Sequence, residues 1–222
     1  MPKTLAMLHT SHVLIPTFSQ LCEDHLPAVE VFHLVDESLI KNTISAGRLM
    51  KSTIRRMESL IGSAREGGAD AVMVTCSSIG PGVKVLRALF DFPILRIDES
   101  MADEAVRIGG KIGVLATLRT TLEPTVELLR ETAAARSRRI ELIPCLCEGA
   151  FDAILSGDNH THHQIVAGSL LDLMRRADVV VLAQASMAGV VGTLQPDPGR
   201  VPVLSSPELA VRQAKELFQQ NR

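Results

Sequence analysis

The sequence predicts an α/β protein of two similar lobes, each with a parallel β-sheet, and three observations support this. Short apolar runs rich in Val, Ile and Leu recur along the 222 residues. Longer amphipathic runs, typical of helices, separate them. The strand signals of the first half also return in the second half at a nearly constant spacing. Strands that alternate with helices favour parallel sheets.

The apolar runs show no clean alternation of polar and apolar residues, as expected for parallel strands buried on both faces. Helical periodicity is clearest in residues 50–64, where apolar residues recur at steps of three and four until Gly67. The predicted strands are residues 4–8, 29–35, 71–75, 93–97, 111–116, 139–144, 179–184 and 201–205.

An internal duplication explains the recurring signals. It predicts two lobes related by a pseudo-twofold axis, residues 1–98 with 207–222 and residues 99–206. Because ligands bind at the carboxyl ends of parallel strands, we expect the site in the cleft between the lobes. The recurring signals are Ala-Asp (69–70 and 177–178), a strand-opening proline (Pro93 and Pro202) and Leu-x-Thr (8–10 and 115–117), at spacings of 108, 109 and 107 positions.

Composition excludes several classes of partner. The net charge of −2, with 3% aromatic residues and no Trp or Tyr, argues against nucleic acid binding. No apolar run approaches the roughly 20 residues that span a bilayer, so we expect no membrane partner. The N-terminus lacks an apolar stretch of signal-peptide length, and the four cysteines form no Cys-x-x-Cys pair. These features predict a cytoplasmic protein with reduced thiols.

Cys76 is the candidate catalytic residue. It lies in the stretch "ADAVMVTCSSIG" (69–80), where a strand ends and small hydroxyl residues follow. Pro81 is expected to open a helix, whose N-terminus would lower the pKa of the thiol. A thiolate placed there can act as a base or nucleophile, and the protonated thiol as an acid. The alternative is an inert, buried cysteine.

The sequence resembles the aspartate/glutamate/hydantoin racemase superfamily over nearly its whole length. The resemblance rests on "ADAVMVTCSS" (69–78), "GVLAT" (113–117) and "VVVLAQASMA" (179–188). It implies two flavodoxin-like parallel sheets, no cofactor, a small carboxylate or amino-acid substrate, and a homo-oligomer. In the family two cysteines flank the α-carbon of the substrate; one removes a proton and the other delivers one.

The sequence departs from this family pattern at the second thiol. Hydantoin-racemase-like members read Gly-Cys-Ala-Gly-Met there, whereas residues 183–187 read Ala-Gln-Ala-Ser-Met. Gln184 therefore stands where the thiol would be, and it also lies 108 positions after Cys76. A glutamine has no proton to give near pH 7. Two-base racemisation is thus in doubt, while the site itself is expected to persist.

Hydroxyl and amide donors around the thiol suit a carboxylate, whose oxygens gain charge when the adjacent carbon is deprotonated. Ser and Thr also cap helices and shape turns, which is the alternative for each of them. His9 is either the missing acid or a hydrogen-bonded structural histidine. The predicted substrate contacts are His9, Thr10, Ser11, Thr75, Ser77, Ser78, Thr117, Thr120, Thr121, Gln184, Ala185 and Ser186.

Two other polar clusters have simpler explanations than a functional one. The run "DNHTHH" (158–163) fits no zinc spacing, and Asp158 or Asn159 is explained as a helix cap, so no metal is predicted. The carboxylates of residues 36–38 and 98–99 follow strands. We expect them to be solvated loop residues, with the rim of the cleft as the alternative.

The sequence therefore predicts a cofactor-independent racemase or isomerase acting at the α-carbon of an amino acid or related small carboxylate. One alternative keeps the fold but is a single-thiol lyase or decarboxylase, in which one protonated cysteine quenches an enolate. The other is a small-ligand binding protein that has lost catalysis with the second thiol.

Overall fold

The computed structural model describes residues 2–187, 189 and 201–220. The chain divides into two compact units, a first lobe of Met1–Asp98 with Pro207–Arg222 and a second lobe of Glu99–Ser206. Each lobe has one four-stranded sheet, and all of its strand pairs are parallel. The predicted α/β fold of two lobes with parallel sheets is confirmed.

The first lobe has the strand order β2-β1-β3-β4. Its central strand β3 is buried along its whole length, which explains why its sequence does not alternate. Its elements are β1 (Lys3–His9), α1 (Ile15–His25), β2 (Val29–Val35), α2 (Glu37–Ala46), α3 (Lys51–Glu66), β3 (Ala71–Val74), α4 (Pro81–Leu86) and β4 (Ile94–Arg96).

The second lobe repeats this arrangement with the order β6-β5-β7-β8. Strands β6 and β8 each begin two residues later than predicted, and β7 ends two residues earlier, while the bounds of the other strands agree within one residue. Its elements are α5 (Glu99–Ile108), β5 (Lys111–Ala116), α6 (Arg119–Ala135), β6 (Glu141–Leu146), α7 (Ala150–Leu155), α8 (Asn159–Met174), β7 (Val179–Leu182) and β8 (Val203–Ser205). The helix α9 (Ser206–Gln220) follows.

The duplicated Ala-Asp signal has the same structural role in both lobes. The carboxylate of Asp70 accepts a hydrogen bond from the backbone N–H of Thr4 at 2.9 Å. The carboxylate of Asp178 accepts one from the backbone N–H of Lys111 at 2.7 Å. Each aspartate thus binds the start of the neighbouring strand, which is a local reason for its presence in both halves.

The helices pack apolar faces onto the sheets, as their sequence periodicity predicts. In α3 the residues Met57, Ile61 and Ala64 are buried in the core of the first lobe. None of the described helices is long and apolar enough to cross a membrane.

Candidate active site

Cys76 lies two residues beyond the end of β3, on a turn that leads into α4. Its side chain is half-buried and packs against the hydrophobic core of the first lobe. The turn closes through hydrogen bonds from the backbone N–H of Ile79 to the carbonyl of Cys76 (3.3 Å) and from that of Gly80 to Ser77 (3.1 Å). The carboxyl end of the central strand therefore holds the thiol on a short, hydrogen-bonded turn.

Four hydrogen-bond donors act on the sulfur of Cys76. They are the hydroxyls of Thr10 and Ser78 and the backbone N–H groups of Ser78 and Ile79. Each of them lowers the pKa of the thiol because it stabilises the thiolate. This arrangement would hold a negative charge on the sulfur once a proton has left it.

Burial nevertheless outweighs these donors and raises the pKa of Cys76 above its ordinary value. The prediction that a helix N-terminus lowers this pKa is therefore wrong. Helix α4 does begin with Pro81, as predicted, but it has only six residues and starts five positions beyond the thiol. In the free protein the thiol is thus protonated near neutral pH.

Gln184 occupies the corresponding position in the second lobe, two residues beyond the end of β7. Its Oε1 accepts a hydrogen bond from the backbone N–H of Thr117 at 2.6 Å and another from the hydroxyl of Thr117 at 2.9 Å. A backbone N–H only donates, so the atom facing it must be the carbonyl oxygen. The amide NH₂ of Gln184 is consequently turned away from Thr117.

The two lobes hold Cys76 and Gln184 in the same way. In the first lobe the hydroxyl of Thr10 donates to the sulfur of Cys76. In the second lobe the hydroxyl of Thr117 donates to Gln184. Thr10 and Thr117 are the threonines of the duplicated Leu-x-Thr signal. The hydrogen-bonding position is thus repeated, while the residue held in it differs.

Thr120 and Thr121 lie in the first turn of α6, a helix of 17 residues. Both are buried, and the Oγ1 of Thr120 has no hydrogen-bond partner among the described residues. The first turn of a helix also has backbone N–H groups without helical partners. A buried hydroxyl lacking an acceptor at such an end is suited to an anionic group.

His9 does not occupy the position expected of a substrate contact or an acid. It is fully buried, and both ring nitrogens are engaged: Nδ1 with the hydroxyl of Thr75 (2.8 Å) and Nε2 with Nδ1 of His33 (2.9 Å). Burial, reinforced by His33, lowers the pKa of His9 to about 4. His9 is therefore neutral at pH 7 and has a structural role, which corrects the prediction of substrate contact.

The substrate contact of Thr75 stays a prediction, and its side chain makes hydrogen bonds within the first lobe. Thr75 is buried, and its hydroxyl donates to the carbonyl of Leu8 at 3.1 Å while it also contacts His9. Ser11 is half-buried, and its Oγ accepts the backbone N–H of Val13 as a cap.

The remaining predicted contacts are placed as follows. Ser77 is buried in the turn after Cys76, and Ala185 is half-buried in a 3-10 turn (Ala185–Met187). The side chain of Ser186 lies outside the described residues.

Two of the carboxylates after the strands, those of Asp36 and Asp98, are buried, contrary to expectation, whereas the side chain of Glu37 is 43% exposed, as expected. Asp36 is buried, caps α2 through the N–H of Ser38 at 2.9 Å and pairs with Arg56. Asp98 is fully buried and accepts two hydrogen bonds from Arg96, at 2.6 and 3.0 Å. Both are structural carboxylates. The partner of Asp36 lies 20 positions away, whereas Arg96 lies only two positions before Asp98 inside a predicted strand and was a signal of the second pair.

The histidine-rich run of residues 158–163 is explained by helix capping, as predicted. Asp158 accepts the backbone N–H of Thr161 at 3.0 Å, and the buried His162 donates to the carbonyl of Ala150 at 2.9 Å. Within the part of the chain that the structure describes, no three His, Cys, Asp or Glu side chains are grouped as a metal site requires.

The sequence reasoning missed His33 and Ser19, which extend the hydrogen bonds of His9. The only signal was a histidine inside the otherwise apolar stretch "VFHLV" of β2.

The burial of His9 predicts a loss of stability in acid. Because its pKa is lowered from 6.5 to about 4, the unfolded chain binds the proton more readily than the folded one. The free energy of unfolding should therefore fall by about 3 kcal/mol as the pH falls from 6.5 to 4. Urea unfolding at a series of pH values measures this. A His9→Asn variant should lose much of this dependence, and a variant of the exposed His12, His12→Asn, should keep it. Equal slopes in wild type and both variants would contradict the prediction.

Two lobes of parallel α/β structure, with a hydrogen-bonded thiol at the end of one central strand, define the class to which this protein belongs. It is the class of two-lobed racemase-type isomerases. The chain belongs to the Asp/Glu/hydantoin racemase family, whose family model matches residues 8–214.

Solved structures of racemases share this fold. Allantoin racemase from Klebsiella pneumoniae has a TM-score of 0.73 at 16% identity, covering 99% of this chain and 89% of that one. Glutamate racemase from Francisella tularensis subsp. tularensis SCHU S4, in complex with D-glutamate, has a TM-score of 0.76 at 13% identity, covering 99% and 82%. Aspartate racemase from Picrophilus torridus has a TM-score of 0.69 at 14% identity, covering 96% and 94%. No curated protein sequence matches this chain significantly.

Proposed function

We propose that this protein catalyses proton transfer at the α-carbon of an amino acid or related small carboxylate, without a cofactor, and that Cys76 is its thiol acid/base. The observation that carries the proposal is the sulfur of Cys76, half-buried at the end of β3 and surrounded by four hydrogen-bond donors. These donors stabilise the thiolate that forms when the proton moves to carbon. For exchange, the thiolate of Cys76 takes the α-proton, and the thiol so formed returns a proton to the carbon after exchange with solvent. Because burial raises the pKa of Cys76, the protonated thiol predominates near neutral pH and the thiolate fraction that starts the reaction is small.

The proposed ligands of the substrate carboxylate are uncharged hydrogen-bond donors. Thr120, with its buried and unpartnered hydroxyl at the start of α6, is the strongest of them. Thr117 and Thr121 lie beside it in sequence, and Ser77 and Ser78 belong to the turn of the thiol. Such donors become more effective as charge builds up on the carboxylate during deprotonation. The D-glutamate of the Francisella enzyme is a carboxylate of this kind.

Gln184 is assigned a binding role in place of a second thiol. Its oxygen is occupied by Thr117, so only its NH₂ group is left to donate a hydrogen bond to a substrate oxygen. An amide cannot deliver a proton near pH 7. Proton transfer should therefore run mainly on the side of Cys76, with Thr10, Ser11, Ala185 and Ser186 as further proposed contacts.

Proton NMR in D₂O tests the proposal with a panel of amino acids, hydantoins and substituted malonates. Loss of an α-proton signal from one class of substrate would support it and identify that class. Chiral analysis of the same samples should show exchange running ahead of inversion. An absence of both exchange and carbon dioxide release across the panel would contradict the enzyme and favour a binding protein.

A single-thiol lyase or decarboxylase is the second candidate, and one observation favours it. Burial keeps Cys76 protonated, as a group that quenches an enolate must be, and the second lobe has Gln184 where a thiol partner would be. Release of carbon dioxide from a substituted malonate, without exchange into amino acids, would select this reaction over racemisation.

Installing the second thiol should restore inversion. A Gln184→Cys variant places an acid/base group at the position that corresponds to Cys76. We expect its rate of inversion, measured by chiral chromatography, to rise about 100-fold over wild type, the lower end of a general acid/base contribution. A Gln184→Ser variant is the control and should not gain inversion. A Gln184→Cys variant with wild-type inversion would contradict the assignment of this position.

The cytoplasmic location and the homo-oligomer stay predictions from the sequence and from the family resemblance. Gel filtration with light scattering measures the oligomeric state.

A further inference from the structure

Four side chains of the first lobe form a continuous chain of hydrogen bonds. Ser19 of α1 contacts His33 of β2 at 3.2 Å, and His33 contacts His9 of β1 at 2.9 Å. His9 contacts Thr75, just beyond β3, at 2.8 Å. Three neighbouring strands and one helix are thereby joined through polar groups beneath the turn that carries the thiol.

The direction of the hydrogen bonds follows from their last acceptor. The hydroxyl of Thr75 donates to the carbonyl of Leu8, which can only accept. His9 must then donate from Nδ1 to Thr75 and accept at Nε2, because a neutral imidazole has one donor and one acceptor. His33 accordingly donates from Nδ1 to His9, and Ser19 donates to Nε2 of His33. With these directions, each of the four side chains has a partner for the hydrogen bond that it donates.

The surroundings of His9 keep it in this neutral form. Phe18 and Ser19 face the pair from α1, with the ring of Phe18 centred 5.5 Å from that of His9. Among the described residues, His33 is the only titratable group that shifts the pKa of His9. Burial lowers the pKa of His33 as well. Both rings are therefore uncharged near pH 7.

This series of hydrogen bonds ends next to the thiol. Thr75 immediately precedes Cys76, and His9 immediately precedes Thr10, whose hydroxyl donates to the sulfur of Cys76. The hydrogen bond between His9 and Thr75 thus connects the backbone segment that carries the thiol of Cys76 with the segment that carries its donor, Thr10. Together with the hydrogen bond from the backbone N–H of Thr75 to the carbonyl of Leu8 (3.0 Å), it holds the two backbone segments that carry Thr10 and Cys76.

We propose that His9 and His33 are positioning residues for Cys76: they hold the hydroxyl of Thr10 on the sulfur without touching the substrate. This proposal rests on the proposed function only in taking Cys76 as the reacting group. Loss of the pair should misplace the Thr10 donor and leave the thiolate less stabilised. The second lobe has no counterpart at this point, since Ala116 follows Leu115 where His9 follows Leu8.

Alkylation of Cys76 by iodoacetamide, followed by mass spectrometry of its peptide across pH 6–10, tests the proposal without any substrate. A hydrogen bond to a charged group contributes enough to shift a pKa by about one unit. In a His9→Ala variant we therefore expect alkylation at pH 8 to fall about tenfold and its pH profile to move upward. A His9→Asn variant, which keeps a donor near the position of Nδ1, should recover most of the rate. The exposed His12→Ala variant is the control and should match wild type.

Two outcomes would overturn the proposal: an unchanged pH profile in His9→Ala, or an equal upward shift in His12→Ala. If His9→Ala does not fold, His33→Leu decides, because His33 is half-buried rather than fully buried and its loss removes the hydrogen bond to His9. It should lower alkylation about threefold, and an unchanged rate would overturn the proposal. Failure of substrate exchange in wild type would instead count against the proposed function and leave the alkylation result intact.

Discussion

A Cys76→Ser variant should lose α-proton exchange by about 10⁴-fold, the upper end of the contribution of a general acid/base group. A serine hydroxyl can accept the same hydrogen bonds from Thr10, Ser78 and Ile79, but it does not ionise in the accessible pH range. The side chain is half-buried, so replacing its sulfur by oxygen should leave the fold intact. Proton NMR in D₂O with the substrate found in the panel measures the rate.

Cys145→Ser is the matched control for this variant. Cys145 is also a half-buried free thiol in a strand region, but it belongs to β6 of the second lobe. The Cys145→Ser variant should exchange the α-proton of the substrate at the wild-type rate. A Cys76→Ser variant that keeps more than about a tenth of the wild-type rate would contradict the role of the thiol.

An Asp98→Ala variant should lower the free energy of unfolding by about 3–5 kcal/mol. Asp98 is fully buried, and its carboxylate binds the buried guanidinium of Arg96 through two hydrogen bonds. Removing the carboxylate leaves the positive charge of Arg96 in the interior without its main compensation. The same guanidinium lies against the turn of Cys76, because a Cβ added to Gly80 would clash with Nε of Arg96. Urea unfolding measures the loss.

An exposed ion pair provides the control for this prediction. Asp172 pairs with Arg176 at 3.0 Å, with more than half of both side chains exposed to solvent. An Asp172→Ala variant should cost less than about 1 kcal/mol. The double variant Arg96→Met/Asp98→Leu should regain much of the lost stability, because it removes both buried charges. A loss in Asp98→Ala no larger than in Asp172→Ala would contradict the prediction.

The strands and their duplication could be predicted from the sequence because both depend on local chemistry. Strand β3 is buried on both faces, so its residues had to be apolar throughout, and that pattern is visible without a structure. The repeated Asp70 and Asp178 reflect a bond that each makes to the start of the adjacent strand. The bounds of β6 were predicted two residues too early, because Ile140 extends the apolar pattern before the strand and Pro144 was taken as its end.

The site was predictable only in part. The position of Cys76 at a strand end and the correspondence of Gln184 both followed from spacing along the chain. The direction of the thiol pKa did not, because desolvation depends on the atoms that cover the sulfur, and those come from distant segments. The prediction from the sequence favoured a helix N-terminus, a local feature, and gave burial only as the alternative, whereas burial has the larger effect on the pKa here.

His9 and Asp98 show that the burial and the partners of a side chain are also hard to predict from the sequence. Nothing near His9 in the sequence announces His33, which lies 24 positions away on the neighbouring strand. In the sequence Asp98 has the position of a loop carboxylate, and only the structure shows that it is buried and bound to Arg96. The partner of His9 is thus distant in the chain, whereas the partner of Asp98 is two positions away and only the burial of that pair depends on the fold.

The sequence by itself therefore determined the architecture, the repeated strand ends and the residue held at each of them. Only the tertiary structure decided the chemical state of those residues: which nitrogen of His9 donates, how Gln184 is turned, and whether Cys76 begins as thiol or thiolate. The physical reason is that periodicity and spacing are properties of a single segment. Protonation and hydrogen-bond direction instead depend on burial and on partners that folding brings from elsewhere in the chain.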